Sequence, residues 1–480
     1  MSQDVQIGGK IKRLRRQRNL SQAEFANALG ISGSYLNLIE HNRRKVTVPL
    51  LFAIAARLEI EPGELVDTDE ARLVSELMEV FGDDLFAESD LTNLEIRDLA
   101  SSNPAAAKAV VKLYSRYRSL RGERSLGLTG GVPFHAATDA ISDFLQDRGN
   151  YFSALEEVAE RLRRDIDEAS DEISSGLRAY LQNVFGIDVR IAPLPGGLAR
   201  QFDEGRNRLM ISDILSVESA LFSMAQHLAH LAGASAIDGI IAESELTEGD
   251  APALARNVLG SYLAAAIIMP YEPFLRACRE QRYDIERIGR LFSASFEQVC
   301  HRMTTLQRRG ASGIPFHFVR TDIAGNISKR FSLSGIHIAR HAGACPRWNV
   351  YSAFMSPDRI NVQLSEMPDG GRYFCVARTV TKTDYRHNSP RRHFAVGLGC
   401  GIEHAHELVY ADGIDLKRVD QIVPVGVSCH ICPRLDCGQR AHPPADHRFR
   451  FDERERARSV YDRMQGPGLT PAGPGSGLLR

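Results

Sequence analysis

The chain has 480 residues, 43% apolar and 25% charged, with a formal net charge of −1. That is material for about three globular domains, and the near-zero charge excludes a chain that binds polyanions along its whole length. No apolar run approaches bilayer-spanning length and no charged-then-apolar signal segment opens the sequence, so a cytoplasmic protein with no membrane partner is expected.

The first element is a compact helical bundle over residues 1–66. Ser21 with Glu24 three positions on reads as a capping box, Gly30 stops that helix, and Ser32 caps the next. Phe25, Ala28, Leu29, Ile31, Leu36 and Ile39 fall at spacings that close two short helices onto one core. Two helices joined by a tight Gly-containing turn form a helix-turn-helix, and the second would lie in the major groove of double-stranded DNA. Ser34, Tyr35 and Asn37 are then placed for base edges. Gln22, Arg43, Arg44 and Lys45 are placed for phosphates, which fix register without reading sequence. Six cations (Lys10, Lys12, Arg13, Arg15, Arg16, Arg18) stand against Asp4 in the first eighteen residues. The motif resembles the Xre/Cro-like repressor family.

Residues 67–121 stay helical but turn acidic, with Leu73, Leu77 and Val80 at helical spacing, as in a connector that packs or dimerises. Residues 122–135 carry the Gly content of a linker. From 136 to 310 the pattern is mainly α, with short strands at 189–191 and 208–211 around a turn at 193–197. A long helix follows through Ala220 to Leu231. Together they resemble the zinc-peptidase-like domain that follows Xre-type readers in bacterial regulators. Zinc peptidases need His-Glu-x-x-His on a helix. In that register the chain has Gln226 and His227, only His230 remains, and residues 251–270 contain no Asp or Glu. The expectation is a scaffold with no catalytic residues.

All eight cysteines lie beyond residue 277. Cys429, Cys432 and Cys437 form C-x2-C-x4-C in a segment broken by Pro433 and Gly438, so neither a helix face nor a core stripe explains them. In a reducing compartment such thiols point to a shared metal, with Arg434 and Arg440 placed to lower their pKa. Zinc would take a fourth ligand such as His430 or His442. An iron–sulfur cluster would take a distant thiol, Cys400 or Cys345. Spacing alone favours zinc slightly, with His at hand, and leaves the cluster open. A basic run (Arg378, Lys382, Arg386, Arg391, Arg392, His393) precedes Gly397-x-Gly399-x-Gly401, which reads as a possible phosphate-binding turn. The tail, residues 461–480, reads as disordered on its Pro and Gly content.

The run order resembles a family of bacterial regulators of short-chain fatty acyl-CoA and propionate metabolism. Matching stretches are Cys345-Pro346-Arg347-Trp348-Asn349-Val350, the segment from His404 to Gly413, and the three-cysteine element. The resemblance implies a GAF-like α/β sensor domain over residues 311–460 that binds an acyl-CoA effector and carries an iron–sulfur cluster of the 4Fe-4S type. Cys429, Cys432 and Cys437 would ligate it; the fourth ligand stays open, with Cys400 the expected thiol, and Arg386, Arg391 and Arg392 of the basic run would face the acyl-CoA. The chain is then expected to be a homodimeric transcription factor, found with the nucleoid when bound to operator DNA. Two other readings stand beside it: a metalloprotease-coupled stress regulator, and a DNA-binding regulator whose end holds structural zinc.

Overall fold

The computed structural model describes residues 7–18, 20–40, 43–44, 46–58, 60, 68–86, 91, 93–126, 134–247, 249–339, 344–382, 391–442, 448–449 and 464–465. The N-terminal bundle comprises α1 (Gly8–Gln17), α2 (Gln22–Ala28), α3 (Gly33–Glu40) and α4 (Val48–Arg57). The expected caps form: the Ser21 hydroxyl accepts from Glu24 N, and the Glu24 carboxylate accepts from Ser21 N at 2.8 Å. Gly30 takes a left-handed φ of 67°, and the Ser32 hydroxyl accepts from Tyr35 N at 3.1 Å. Phe25, Leu36 and Ile39 are buried with Ile11, Ile54 and Leu58. Ala28 is exposed, and Ala26 takes the core place expected for it. The helical period puts two residues of separation on opposite sides of so short a helix.

The connector is a helical unit with its own small core. In α5 (Thr68–Phe81), Leu73 and Leu77 pack with Ile96 and Ala100 of α6 (Asn93–Ser102) and Ala107 of α7 (Pro104–Leu126). Helix α7 thus continues into the segment expected to be a linker, and α8 begins at Phe134 (Phe134–Asp147).

The middle domain continues with α9 (Ser153–Ala169) and α10 (Ile173–Phe185). A three-stranded sheet follows: β1 (Asp188–Ala192), β2 (Arg200–Asp203) and β3 (Arg208–Ser212), ordered β1-β3-β2. The two expected strands pair in parallel, and β2 pairs antiparallel to β3. Six helices complete the domain: α11 (Val217–Ala232), α12 (Ala234–Ala242), α13 (Ala251–Ile268), α14 (Tyr271–Glu280), α15 (Ile285–Phe292) and α16 (Phe296–Met303). By length and composition α13 could cross a membrane. Its Ala255, Leu259, Leu263 and Ile267 are instead fully buried against neighbouring helices. Deep in this core the Arg302 guanidinium pairs with Glu156 through bonds of 2.6 and 2.9 Å, and the Tyr262 hydroxyl donates to the same carboxylate. Such a pair costs desolvation but fixes how α9, α13 and α16 register.

The C-terminal domain is built on six strands: β4 (His317–Asp322), β5 (Ile327–Ser332), β6 (Asn361–Glu366), β7 (Arg372–Lys382), β8 (Arg392–Gly401) and β9 (Ile422–Pro424). Their order is β5-β4-β8-β7-β6-β9, antiparallel except for β6 with β9. Alternation along the strands gives the sheet two apolar faces. One face (Phe318, Phe331, Phe374, Val376, Val396, Leu398) merges with the middle domain into one continuous core. The other (Val319, Cys375, Ala377, Ala395) is covered by the segment around Trp348 and Val350, including the short helix α17 (Asn349–Ser352). The two faces therefore separate scaffold from site. Residues 448–449 and 464–465 form a further strand pair, β10 and β11, within the otherwise undescribed C-terminal stretch.

Candidate functional site

On the DNA-reading side, Ser34 and Asn37 project from α3 into solvent, and Tyr35 is half-buried against the bundle core. Arg43 and Arg44 are exposed just beyond α3, and the Arg44 guanidinium lies 6.0 Å from the centre of the Tyr35 ring. Lys45 lies outside the described residues. The Gln22 amide donates to Glu40 at 2.9 Å and to Asn37 at 3.4 Å, so it braces the start of α2 against the reading helix. Not all the N-terminal basicity faces outward. Arg15 and Lys10 are buried, Arg15 in an ion pair with Glu40, because one face of α1 must close the bundle.

In the middle domain, Gln226, His227 and His230 fall on α11, as the register requires. The Gln226 amide donates to Ser261 Oγ at 2.8 Å and Asn257 Oδ1 at 3.2 Å, both on α13. The His227 ring packs on Phe202 at 4.7 Å, and its buried Nε2 has no hydrogen-bond partner. Burial, then Arg200 and His230, bring the His227 pKa down to about 4; burial, Arg200 and Arg256 lower that of His230. A fixed guanidinium thus stands in electrostatic reach of both imidazoles, where a metal peptidase would keep its cation and a carboxylate. Like charge repels a dication there, and the sequence offers no acid on α13 to offset it. Arg200, half-hidden on β2, and Arg256, on α13, were not anticipated from the sequence.

The C-terminal domain brings two features together. The first is a partly enclosed pocket on the outer sheet face, about 410 Å³ free of protein atoms counting its open mouth. Ile336, Ile338, Val350 and Val425 supply apolar walls, with Trp348 beside them. His317 and Cys375 also line it and belong to a polar string: His317 Nε2 lies 3.6 Å from the Cys375 thiol, and His317 Nδ1 lies 2.7 Å from Ser334 Oγ. Burial lowers the His317 pKa to about 3 and raises the Cys375 pKa to about 12, so both are neutral. The Gly-rich run expected as a phosphate turn is the C-terminal half of β8, with Gly397 and Gly399 paired to β4 on one side and β7 on the other, and Gly401 paired to β7. The glycines answer a packing need instead. A Cβ at 397 would stand 2.5 Å from Val350 Cγ1, and one at 399 would stand 2.5 Å from the His317 ring.

The second feature is the thiol loop. Arg440, 6% exposed, donates to the carbonyl oxygens of Cys429, Cys432 and Arg434 at 2.5, 2.6 and 2.6 Å and so folds the three-cysteine segment around itself. Arg434 ties the same loop to Val425, Glu366 and Met367. Both arginines pull the Cys432 pKa down as expected, but burial outweighs them and the net shift is upward. His430 and His442 stack beside the loop at 4.6 Å.

Cys345, not Cys400, is the thiol that joins this loop. Cys345 N donates to Val427 O at 2.9 Å, and its pKa is raised by burial and further by Cys429 and Cys432. Cys400 sits fully buried in the opposite face of the sheet, with Cys375, Glu403 and Glu407 as its electrostatic neighbours. Among the described residues, no three His, Cys, Asp or Glu side chains stand in ready-made ligating geometry. Pocket and loop touch directly: Trp348 Nε1 donates to Gly426 O at 3.0 Å. Arg391 and Arg392 are exposed at the start of β8, upstream of the pocket wall, and Arg386 lies outside the described residues.

Comparison with known proteins agrees with this three-part layout. Residues 11–65 match the helix-turn-helix family, residues 182–304 the IrrE N-terminal-like domain, and residues 305–461 the family described as short-chain fatty acyl coenzyme A regulator, C-terminal. The chain is 37% identical over 466 residues to the HTH-type transcriptional regulator RamB of Mycobacterium tuberculosis, covering 95% of this chain and 98% of that one. It is 37% identical to the HTH-type transcriptional regulator PrpR of the same organism over 93% of each chain. It is 36% identical to the propionyl-CoA carboxylase regulator of Cereibacter sphaeroides over 96% of this chain and 99% of the other. A solved Mycobacterium tuberculosis transcriptional regulator superposes with a TM-score of 0.64 at 39% identity, covering 67% of this chain and 98% of its own. The chain belongs to this family of helix-turn-helix transcriptional regulators, with an IrrE-like middle domain and a short-chain fatty acyl coenzyme A regulator C-terminal domain, and is a DNA-binding regulator rather than an enzyme.

Proposed function

We propose that this regulator controls short-chain fatty acid metabolism, of the propionate or acetate type, by sensing a short-chain acyl-CoA in its C-terminal domain. The single observation that carries the reading is the pocket walled by Trp348, whose indole N–H is held by Gly426 at the root of the thiol loop. An apolar cavity with a few convergent polar groups suits a short acyl chain ending in a thioester carbonyl. Numbered from its own first strand, the sheet order is 2-1-5-4-3-6, and its first five strands support a GAF-like domain. Arg386, Arg391 and Arg392 are assigned to the phosphates of the coenzyme. A cytoplasmic homodimer with paired reading helices about one helical turn apart would meet operator half-sites. Ser34, Tyr35 and Asn37 would read bases there, and Gln22, Arg43, Arg44 and Lys45 would meet phosphates.

The thiol loop is assigned to a metal group, an iron–sulfur cluster of the 4Fe-4S type, held by Cys429, Cys432, Cys437 and Cys345. The donor chemistry fits: Cys429 and Cys432 each disfavour ionisation of Cys345, and a cation placed among them reverses that penalty. The stacked His430 and His442 favour structural zinc as a second reading.

Anaerobic titration with propionyl-CoA, following the fluorescence of Trp348, the one tryptophan of the chain, tests the effector. A saturable change accompanied by altered operator affinity supports it; unchanged fluorescence and unchanged operator binding sink it. Iron, acid-labile sulfide and zinc measured on the same sample decide between cluster and zinc.

A further inference from the structure

The last turn of the connector helix α5 faces the C-terminal domain at two points. At Gly82, just past the helix, a Cβ would stand 2.9 Å from Ile431 Cγ2 and 3.1 Å from Met78 O, so only glycine lets the thiol loop seat this closely. One turn earlier the Glu79 carboxylate lies 3.7 Å from His337 Nε2, with both side chains nearly buried. Ile431 lies between Cys429 and Cys432, and His337 lies between the pocket-lining Ile336 and Ile338. Pocket wall and thiol loop therefore converge on one helical turn.

The other side of the connector holds the DNA reader. Leu73 and Leu77 of α5 pack on Ile96 and Ala100 of α6. Ser101, at the end of α6, lies against α1: its carbonyl accepts from Arg13 Nη1 at 2.9 Å, and its side chain would clash with a Cβ on Gly9. Helix α1 is in turn clamped to the reading helix α3 by Arg15 and Glu40. An unbroken series of packed contacts thus runs from the effector domain to the residues that meet DNA.

We propose that the Glu79–Gly82 turn is the relay through which the state of the C-terminal domain sets operator affinity, with Ile431 and His337 as its two inputs. The relay rests on the DNA-binding function and not on which ligand fills the pocket. Proximity alone is not coupling, so the test of the relay reads non-additivity between its two sides.

The test uses the full chain, without ligand, and an operator fragment that this protein selects from a random library. Affinity is measured by fluorescence anisotropy for Ile431→Ala, Gly82→Ala, their double variant, and Glu79→Gln with His337→Gln. Ile431 is half-exposed, so its truncation leaves the fold in place even where Gly82→Ala strains the connector. The expected result is a change in operator Kd of roughly 3- to 30-fold for Ile431→Ala. Random-DNA affinity should stay unchanged, and the double variant should be markedly non-additive. Operator Kd within twofold of wild type for both Ile431→Ala and the Glu79/His337 variant overturns the relay. Propionyl-CoA titration of Trp348 fluorescence on the same proteins keeps the two readings apart. A silent tryptophan defeats the effector assignment, while the ligand-free cycle still decides the relay.

Discussion

Arg15 and Glu40 form a two-point ion pair inside the N-terminal bundle, Nε to Oε1 at 2.6 Å and Nη2 to Oε2 at 3.1 Å, with both residues buried. The same guanidinium donates to Leu20 O at 2.7 Å, so one side chain joins α1, the entry to α2 and the end of the reading helix. Breaking a buried pair by removing one partner leaves an uncompensated charge and costs about 3–5 kcal/mol. Arg15→Ala should therefore lower the melting temperature of the N-terminal bundle, and operator affinity should fall with it. Scanning calorimetry of the full chain checks this; an unchanged thermogram with reduced DNA binding would mean that Arg15 acts as a phosphate contact after all.

Position relative to α3 divides the exposed residues of the reader into two classes. Asn37 projects from the middle of α3, and Arg43 is exposed beyond its end. Asn37→Ala should lower the ratio of operator to random-DNA affinity, at a cost of about 1–3 kcal/mol on the operator alone. Arg43→Ala should weaken both DNAs alike and reduce the salt slope by about one. Equal losses on both DNAs for both variants would defeat that division of labour.

The parts of this molecule legible in the sequence are those set by neighbours in the chain. Ser21 with Glu24, Gly30 and Ser32 encode caps and a turn within four residues of themselves, and each forms as read. The α11 register was legible too, because Gln226, His227 and His230 are placed by one helical period. What tertiary packing decides was not. Glycines at 397, 399 and 401 carry the spacing of a phosphate turn, and nothing local says that Val350 and His317 will press on two of them across a sheet face. Cys400 and Cys345 are equally plausible partners for the thiol loop in sequence. Strand alternation sends Cys400 to one face of the sheet, and the loop closes over the other. Arg15 looks like one of six surface cations until the bundle folds around it.

The placement of Cys345 gives a direct contrast. If Cys429, Cys432 and Cys437 hold a metal group with Cys345, then Cys345→Ser should lower metal content per chain substantially, with the loop losing protection from thiol-modifying reagents. Cys400→Ser removes a thiol packed in the merged core and should leave metal content at the wild-type level while costing some stability. Metal analysis of the two variants beside wild type reads this out. Metal lost in Cys400→Ser and kept in Cys345→Ser would reverse the assignment.

Beside His227 and His230 on α11, two further imidazoles with lowered pKa give the protein a defined acid response. Burial brings the pKa of His317, on β4, down to about 3 and that of His301, on α16, down to about 4, the latter aided by Lys329 and Arg320. Both are therefore neutral in the fold, and both become charged once unfolded, where an imidazole titrates near 6.5. The sign follows: as pH falls below about 6.5 the unfolded chain binds protons that the folded chain refuses, so stability declines until the folded-state values are reached. Each histidine can contribute up to about 1.4 kcal/mol per pH unit in that window. Glu297 behaves separately. Burial opposes its ionisation, but Lys329, Lys382 and Arg320 together hold its pKa down to about 2, so its contribution declines as pH falls below about 4.5 and is gone near 2. Between pH 6 and 5 the histidines should dominate, and urea denaturation across that interval should show a steep loss of stability. His317→Gln should flatten the slope by about one proton, because glutamine has nothing to titrate in either state. An identical slope in wild type and variant would show that His317 is protonated in the folded protein, and that the polar string at the pocket carries a charge.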